Sequence, residues 1–264
     1  MLAGVYLAKK KDGNLYYRSN ITYRRKHISL GSFSSEEEAH AAYCTANKLL
    51  TGQSSIDDYG EKGSSLSFEK AVSLINFRDN HIYIPTPIYL HKNYFSYYLS
   101  YDRELKFDID DLFYYSSHKI MQRLGHLYVN DYGMQITLLS RYHIKSHAVL
   151  NRDYRFVNGD SNDFRYSNIE IINPYFGVTR QVSNHQVFYR VKIHINGNFT
   201  VGNYKSLHKA AIAYNKAVDY AHRAGINKEF PENYIEELSA SEYADLYTKI
   251  KLSQKYLDYL GITD

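Results

Sequence analysis

The chain has 264 residues, with 32 Lys and Arg against 28 Asp and Glu, for a formal net charge of +4. At 44% hydrophobic and 23% charged residues its composition is that of a globular protein, which excludes wholesale disorder. No run approaches the roughly 18 consecutive apolar residues of a membrane span, and the N-terminal residues lack a signal-peptide core, so a cytoplasmic location is expected. The single cysteine, Cys44, excludes an internal disulfide framework and any multi-cysteine metal site. At roughly 150 residues per domain the length suggests two domains, or three small ones.

The charge is unevenly placed. Between Lys9 and Lys26 stand seven basic residues (Lys9, Lys10, Lys11, Arg18, Arg24, Arg25, Lys26) against Asp12, and between Arg180 and Lys209 five (Arg180, Arg190, Lys192, Lys205, Lys209) against no acid, so the rest of the chain is at −7. The two islands belong to copies of one repeat, residues 4–46 and 177–217. Tyr17, Arg18 and Ile21 match Tyr189, Arg190 and Ile193 at an offset of 172, whereas Leu30, Gly31, Ala39, Tyr43 and Ala46 match Val201, Gly202, Ala210, Tyr214 and Ala217 at 171. The change of offset implies a turn one residue shorter in the second copy.

Each copy reads as three short strands and a helix. Asp12, Gly13 and Asn14 make a hairpin turn in the first, Asn196 and Gly197 in the second. Ser35 and Glu38 form a capping box, and the helix that follows presents Ala39, Ala42, Tyr43 and Ala46 on one face. Small residues let that helix lie close on one side of the sheet. The other side then carries Arg18, Asn20, Thr22 and Ser29 in the first copy, and Arg190, Lys192, His194 and Thr200 in the second. A three-stranded sheet with one open, cationic, hydrogen-bonding face fits the major groove of DNA.

Both copies resemble the APETALA-two/ethylene-response-factor (ERF) DNA-binding domain. The resemblance rests on Gly4-Val5, Tyr17-Arg18 with Ile21, Leu30-Gly31-Ser32-Phe33, and Glu37-Glu38-Ala39 with Ala42-Tyr43. In the second copy it rests on Gly177-Val178, Tyr189-Arg190 with Ile193, Val201-Gly202-Asn203-Tyr204, and Ala210 with Ala213-Tyr214. The family reads double-stranded DNA with its sheet, which implies that role for the outward residues Arg18, Asn20, Thr22, Ser29, Arg190, Lys192, His194 and Thr200 together with Tyr6, Arg24, Arg25, Thr179 and Arg180. Plant members carry arginines and tryptophans on that face where this chain has Tyr6, Ala8, Ser29 and Thr179, so the resemblance transfers no target sequence.

Between the copies, polar residues 52–65 read as a linker. A helix-like stretch follows Phe68, then Tyr- and Leu-rich strands, with a further strand expected over 134–144. Residues 155–173, RFVNGDSNDFRYSNIEIIN, resemble the HNH motif of phage and intron homing endonucleases, in which an ERF-like domain commonly follows the nuclease. In that chemistry a histidine takes a proton from water and a divalent metal neutralises the leaving oxygen, on a ββα frame. Aligned through Asn158, Gly159 and Asp160, Arg155 occupies the metal-binding Asp position, Phe156 the general-base His position and Phe164 the central Asn position. Asp163, Arg165, Ser167 and Asn168 persist. A phenyl ring accepts no proton and a guanidinium repels a metal, so the nuclease is expected to be dead, with neither metal nor cofactor. Asn158 and Gly159 would make a turn, and Asp163 would pair with Arg165 to hold the following helix. His143, His147 or Asp153 would have to supply a displaced metal site if cleavage survived.

After the second copy, Ser239 or Ser241 can cap a closing helix whose apolar face, Tyr243, Leu246, Ile250 and Leu252, packs back on the core. The expected fold is α+β: an ERF-like module at 1–54, a linker at 55–67, a degenerate HNH-like domain with a ββα element at 68–173, and a second ERF-like module with C-terminal helices at 174–264. The expected function is sequence-specific double-stranded DNA binding by a monomer or weak dimer, near the nucleoid and without a small-molecule substrate. Transcription regulation suits it, for instance as a bacterial or phage repressor derived from a mobile-element endonuclease. An active homing or nicking endonuclease and an architectural or protein-interaction factor are the alternatives.

Overall fold

The computed structural model describes residues 1–59, 65–146 and 148–262. His147 and residues 60–64 of the expected linker lie outside them. The architecture is α+β, and no helix among the described residues is long and apolar enough to cross a membrane. The chain forms two compact units, residues 1–138 with 156–169 and residues 139–155 with 170–264.

The first unit opens with an antiparallel sheet of β1 (Val5–Lys9), β2 (Leu15–Tyr23) and β3 (Lys26–Phe33), in that order, followed by α1 (Glu36–Thr51). Ser35 Oγ accepts from the Glu38 backbone N–H at 3.1 Å, as its cap role requires, but the Glu38 carboxylate reaches one residue further back, to the N–H and hydroxyl of Ser34. Ala39, Ala42 and Ala46 are fully buried, which brings α1 down onto the sheet.

Helix α2 (Phe68–Asn80) shares a core with this module: Ala71, Val72, Leu74, Ile75 and Phe77 pack with Ile21, Ile28, Leu30, Leu49 and Leu50. The segment expected to be a linker contributes to the same core through Ile56, Tyr59 and Leu66, and the Tyr59 hydroxyl donates to the Leu66 carbonyl at 2.6 Å. Residues 54 and 67 therefore do not separate independent bodies. Its polar composition hid three buried side chains spaced too widely to register as a pattern.

A second antiparallel sheet joins β4 (Ile88–Leu90), β5 (Tyr94–Ser100) and β6 (Arg103–Asp108). A short helix, α3 (Leu112–Ser117), leads to a third, β7 (Ile120–Arg123), β8 (His126–Asp131) and β9 (Met134–Thr137). The strand expected over 134–144 stops at Thr137, and a 3-10 turn, Leu138–Tyr142, follows. Leu138 and Tyr142 are buried while Ser140 midway between them is exposed, which one helical turn allows and the two-residue alternation of a strand does not.

Strands β10 (Tyr154–Phe156) and β11 (Ile169–Ile171) pair in a two-stranded ribbon. Between them comes a 3-10 turn, Tyr166–Asn168, and no α-helix follows residue 171 before the strand that begins at Val178, so the α element of the expected ββα frame is missing there. Residues 162–164 instead lie along β6: the Lys106 N–H donates to the Asn162 carbonyl at 2.9 Å, and the Phe164 N–H to the Lys106 carbonyl at 2.8 Å. That pairing assigns residues 156–169 to the first unit, so the single domain expected over 68–173 is divided.

The second unit holds the other module: β12 (Val178–Ser183), β13 (Gln186–His194) and β14 (Asn198–Tyr204), then α4 (Leu207–Arg223). Helices α5 (Ala240–Lys249) and α6 (Gln254–Leu260) close it. Ser239 and Glu242 form a complete capping box on α5. Ile250 is buried in the module's core, with Tyr243, Leu246 and Leu252 packed against it. Lys216 of α4 donates to the carbonyls of Tyr247 and Ile250 at 2.9 and 2.7 Å, where the last carbonyls of α5 lack intrahelical partners.

Candidate nucleic-acid interface

The two modules share details that their sequences only hint at. In the first, Ser19 pairs with Gly31 and Asn20 with Ser29, leaving Leu30 as an extra, bulged residue; in the second, Val191 pairs with Gly202 and Lys192 with Thr200, leaving Val201. The bulge turns both Leu30 and Val201 into the core and returns the next polar residues, Ser32 and Asn203, to the open face. Asn20 N–H donates to the Gly4 carbonyl at 2.9 Å and Lys192 N–H to the Gly177 carbonyl at 2.8 Å.

The open faces follow from strand alternation. On the first, Arg18 stands between Tyr6 of β1 and Ser32 of β3, Asn20 lies opposite Ser29, and Thr22 opposite His27, to which its hydroxyl is bonded at 3.3 Å. On the second, Arg190 stands between Thr179 and Asn203, Lys192 opposite Thr200, and His194 opposite Asn198. Arg190 Nε donates to Asn203 Oδ1 at 3.3 Å, and the guanidinium lies 5.9 Å from the Phe188 ring centre. Ser32, His27, Asn203 and Asn198 complete these faces. Ser32 and Asn203 could have been found from the same 171-residue offset that links Gly31 to Gly202.

Three expected residues sit elsewhere. Arg180 pairs with Tyr189 and has the parity of buried Val178, which places it on the side opposite Arg190. Arg24 and Arg25 form the two-residue turn between β2 and β3, with φ of 46° and 66°. A left-handed backbone costs an L residue roughly 1–2 kcal/mol, so two arginines there are a local expense in exchange for cations at the very tip of the hairpin.

Ion pairs occupy some of the chain's cations and not those of the sheet faces. Arg78, Lys119, Arg152, Arg155, Arg165 and Lys249 each form an ion pair with an Asp or Glu, at 2.6 or 2.7 Å. Among the described residues Arg18, Arg24, Arg25, Arg180, Arg190 and Lys192 form none. Cations off the two sheets, Lys92, Lys106 and Arg123 among them, also form none among the described residues, so what marks Arg18, Arg190 and Lys192 is their place on the open faces.

The HNH-like residues are absorbed into the fold. Phe164 is 5% exposed, and its ring stacks on Phe107 with centres 5.5 Å apart; Phe156 meets Phe164 edge-on at 5.8 Å. Arg155 is ion-paired with Glu170 at 2.7 Å. Asp163, 1% exposed, takes three bonds from Arg165, Nη2 to Oδ2 at 2.6 Å, Nε to Oδ1 at 2.9 Å and the backbone N–H to Oδ1 at 3.2 Å, and one from Asn158 Nδ2 at 3.0 Å. Burial opposes its charge, but these hydrogen bonds outweigh it and hold the carboxyl below its usual range. Asn168 accepts from the Asn158 N–H at 2.8 Å and donates to the carbonyls of Asp160 and Asp163. Asn158 accepts from the Asp160 N–H at 2.8 Å, and Gly159, with φ of 80°, completes the turn. The Asp163–Arg165 pair thus holds a 3-10 turn rather than the expected helix.

His143 and Asp153 line one cavity of about 10 Å³, room for at most a single water. Asp153 Oδ2 is held by the Val149 N–H and by Arg152, and Oδ1 accepts from Asn173 Nδ2 at 3.2 Å. Among the described residues no group of three or more His, Cys, Asp or Glu is placed to hold a metal ion.

Comparison with models of protein families, with curated proteins and with solved structures finds no match to this chain. The site's own geometry therefore bears the functional argument.

Proposed function

We propose that this protein binds double-stranded DNA sequence-specifically through the open faces of its two ERF-like sheets, each reading a short half-site. We infer further that it regulates transcription and descends from an HNH homing endonuclease whose catalytic positions now serve the fold. The observation carrying this reading is the repeated open face: in both copies the middle strand sets an arginine that forms no ion pair among the described residues, Arg18 or Arg190, outward among side chains of the neighbouring strands, with Lys192 added in the second. An unpaired cation on a polar sheet face suits a phosphate or the acceptor edge of guanine. If Arg18, Arg24, Arg25, Arg190 and Lys192 each meet a phosphate, log K should fall with log salt at a slope of roughly −4 to −5.

Selection from random duplex DNA, run with and without magnesium or manganese, tests the reading. Enrichment of a consensus without strand cleavage is expected. Failure to enrich any consensus would remove sequence-specific binding. Metal-dependent cleavage abolished by His143→Ala or Asp153→Asn would replace it with an active endonuclease.

A further inference from the structure

The sheet of β7, β8 and β9 is a meander with two two-residue hairpins, Leu124-Gly125 closed by the pair Arg123 and His126, and Tyr132-Gly133 closed by Asp131 and Met134. Its two turns lie at opposite ends of the sheet. In each, the first turn residue is large and apolar and has a left-handed backbone: Leu124 with φ of 50°, Tyr132 with φ of 46°. Such turns favour Asn, Asp or Gly at this position. Leu124 is 90% and Tyr132 97% exposed, so no packing against the fold offsets the strain. Strain that folding does not explain points to a use at the tip.

Charge distinguishes the two. Residues 118–130 contain no acid, so Leu124 projects between Arg123 and His126 with no carboxylate beside it in the chain. Arg123 forms no ion pair among the described residues. Tyr132 instead follows Asp131, the partner of His118 at 3.5 Å, and that end of the sheet would repel a polyanion. An apolar side chain on a narrow tip, flanked by cationic and hydrogen-bonding groups, matches one chemical surface in particular. The minor groove of duplex DNA, about 6 Å wide, is too narrow for a helix, yet admits a single side chain that can part adjacent base pairs.

We propose that Leu124 is a wedge that enters the minor groove and partly unstacks one base step, while Arg123 and His126 hold the flanking phosphates. This rests on the DNA-binding reading above and adds to it a deformation of the duplex, made by a sheet that neither ERF-like module contains. Flexible pyrimidine–purine steps would be preferred at the wedge position, because they unstack at least cost.

Relaxed closed-circular plasmid, incubated with full-length protein and topoisomerase I and then deproteinised, provides the test, with gel retardation of the same plasmid measured alongside. Unstacking unwinds the duplex, so the wild type should shift the topoisomer distribution. Leu124→Ala should retard the plasmid within about threefold of wild type and leave the distribution unshifted. Leu124→Asn should do the same and melt at a higher temperature, since asparagine accepts the left-handed turn. A wild type that retards the plasmid without shifting its topoisomers, or a Leu124→Ala variant that shifts them as wild type does, would overturn the wedge and leave DNA binding standing. A wild type that does not retard the plasmid at all would overturn both.

Discussion

The ring of Tyr214 lies over the α-carbon of Gly177, so close that a β-carbon on the glycine would come within 2.2 Å of it; Tyr43 and Gly4 repeat the contact at 2.1 Å. This pair explains two separate marks of the repeat, the glycine that opens each copy and the tyrosine on each helix. Both glycines also have positive φ, 76° and 73°. Gly177→Ala therefore meets a steric overlap and an unfavourable backbone together, and should destabilise the second unit by roughly 2–4 kcal/mol. Gly197→Ala is the control: it has no atom within 4 Å of the added carbon and no left-handed φ, so its effect should stay within about 0.5 kcal/mol. Urea denaturation of the three proteins measures both.

Arg18 and Arg190 occupy the same place in the two sheets, the middle strand's outward position, between Tyr6 and Ser32 in the first and between Thr179 and Asn203 in the second. Arg18→Ala and Arg190→Ala should each weaken binding to a selected duplex by about 1–3 kcal/mol if the guanidinium reads a base, and should relax specificity at one position. If it contacts phosphate, the loss should be uniform across sequences and the salt slope should fall by about 1. Fluorescence anisotropy across a salt series separates the two outcomes. Parent-like binding by both variants would sink the sheet-face reading.

Asp163 makes the HNH-like turn sensitive to acid. Its carboxyl titrates lower in the folded protein than in the unfolded chain, because the bonds from Arg165 and Asn158 outweigh the cost of burial. Its contribution is thus complete above the ordinary carboxylate range and is lost as pH falls through the depressed native value. Asp163→Asn removes the charge-assisted bonds from Arg165, whose side chain is 36% exposed and remains solvated, and should cost roughly 1–3 kcal/mol near neutral pH. The variant should also show a flatter loss of stability below about pH 4 than the wild type. Thermal melts between pH 2.5 and 7 report both effects.

Local chemistry was the part of the fold written openly in the sequence. The repeat, the caps and the alternation on β2 and β13 all depend on neighbours a few residues apart. The shift of offset has its cause in the turns: Thr22 and His27 are separated by four residues, His194 and Asn198 by three. What stayed hidden depends on distant partners. Leu30 and Val201 look like ordinary strand residues until the register with the middle strand shows them bulged, and Arg180 looks like another sheet cation until pairing fixes its parity. Phe156 and Phe164 could be read as losses from a catalytic motif, but what Phe164 gains, a stack against Phe107 in β6 with Phe156 edge-on to it, needed a contact across more than 50 residues.

One buried group is poorly served by the fold, and this gives a prediction of opposite sign. Among the described residues the enclosed Tyr214 hydroxyl has no hydrogen-bond partner, and burial raises its pKa. An enclosed hydroxyl that has left water and found no partner costs roughly 1–3 kcal/mol, while its ring is needed to cover Gly177 and pack edge-on against Phe176 at 5.2 Å. Tyr214→Phe keeps the ring and removes the unpaired oxygen. It should therefore stabilise the second unit by about 1 kcal/mol, visible as a higher urea midpoint at unchanged slope. Tyr214→Leu removes the ring contacts as well and should destabilise by about 2 kcal/mol or more. If the phenylalanine variant is the less stable of it and wild type, the hydroxyl is bonded in solution and its enclosure without a partner is refuted.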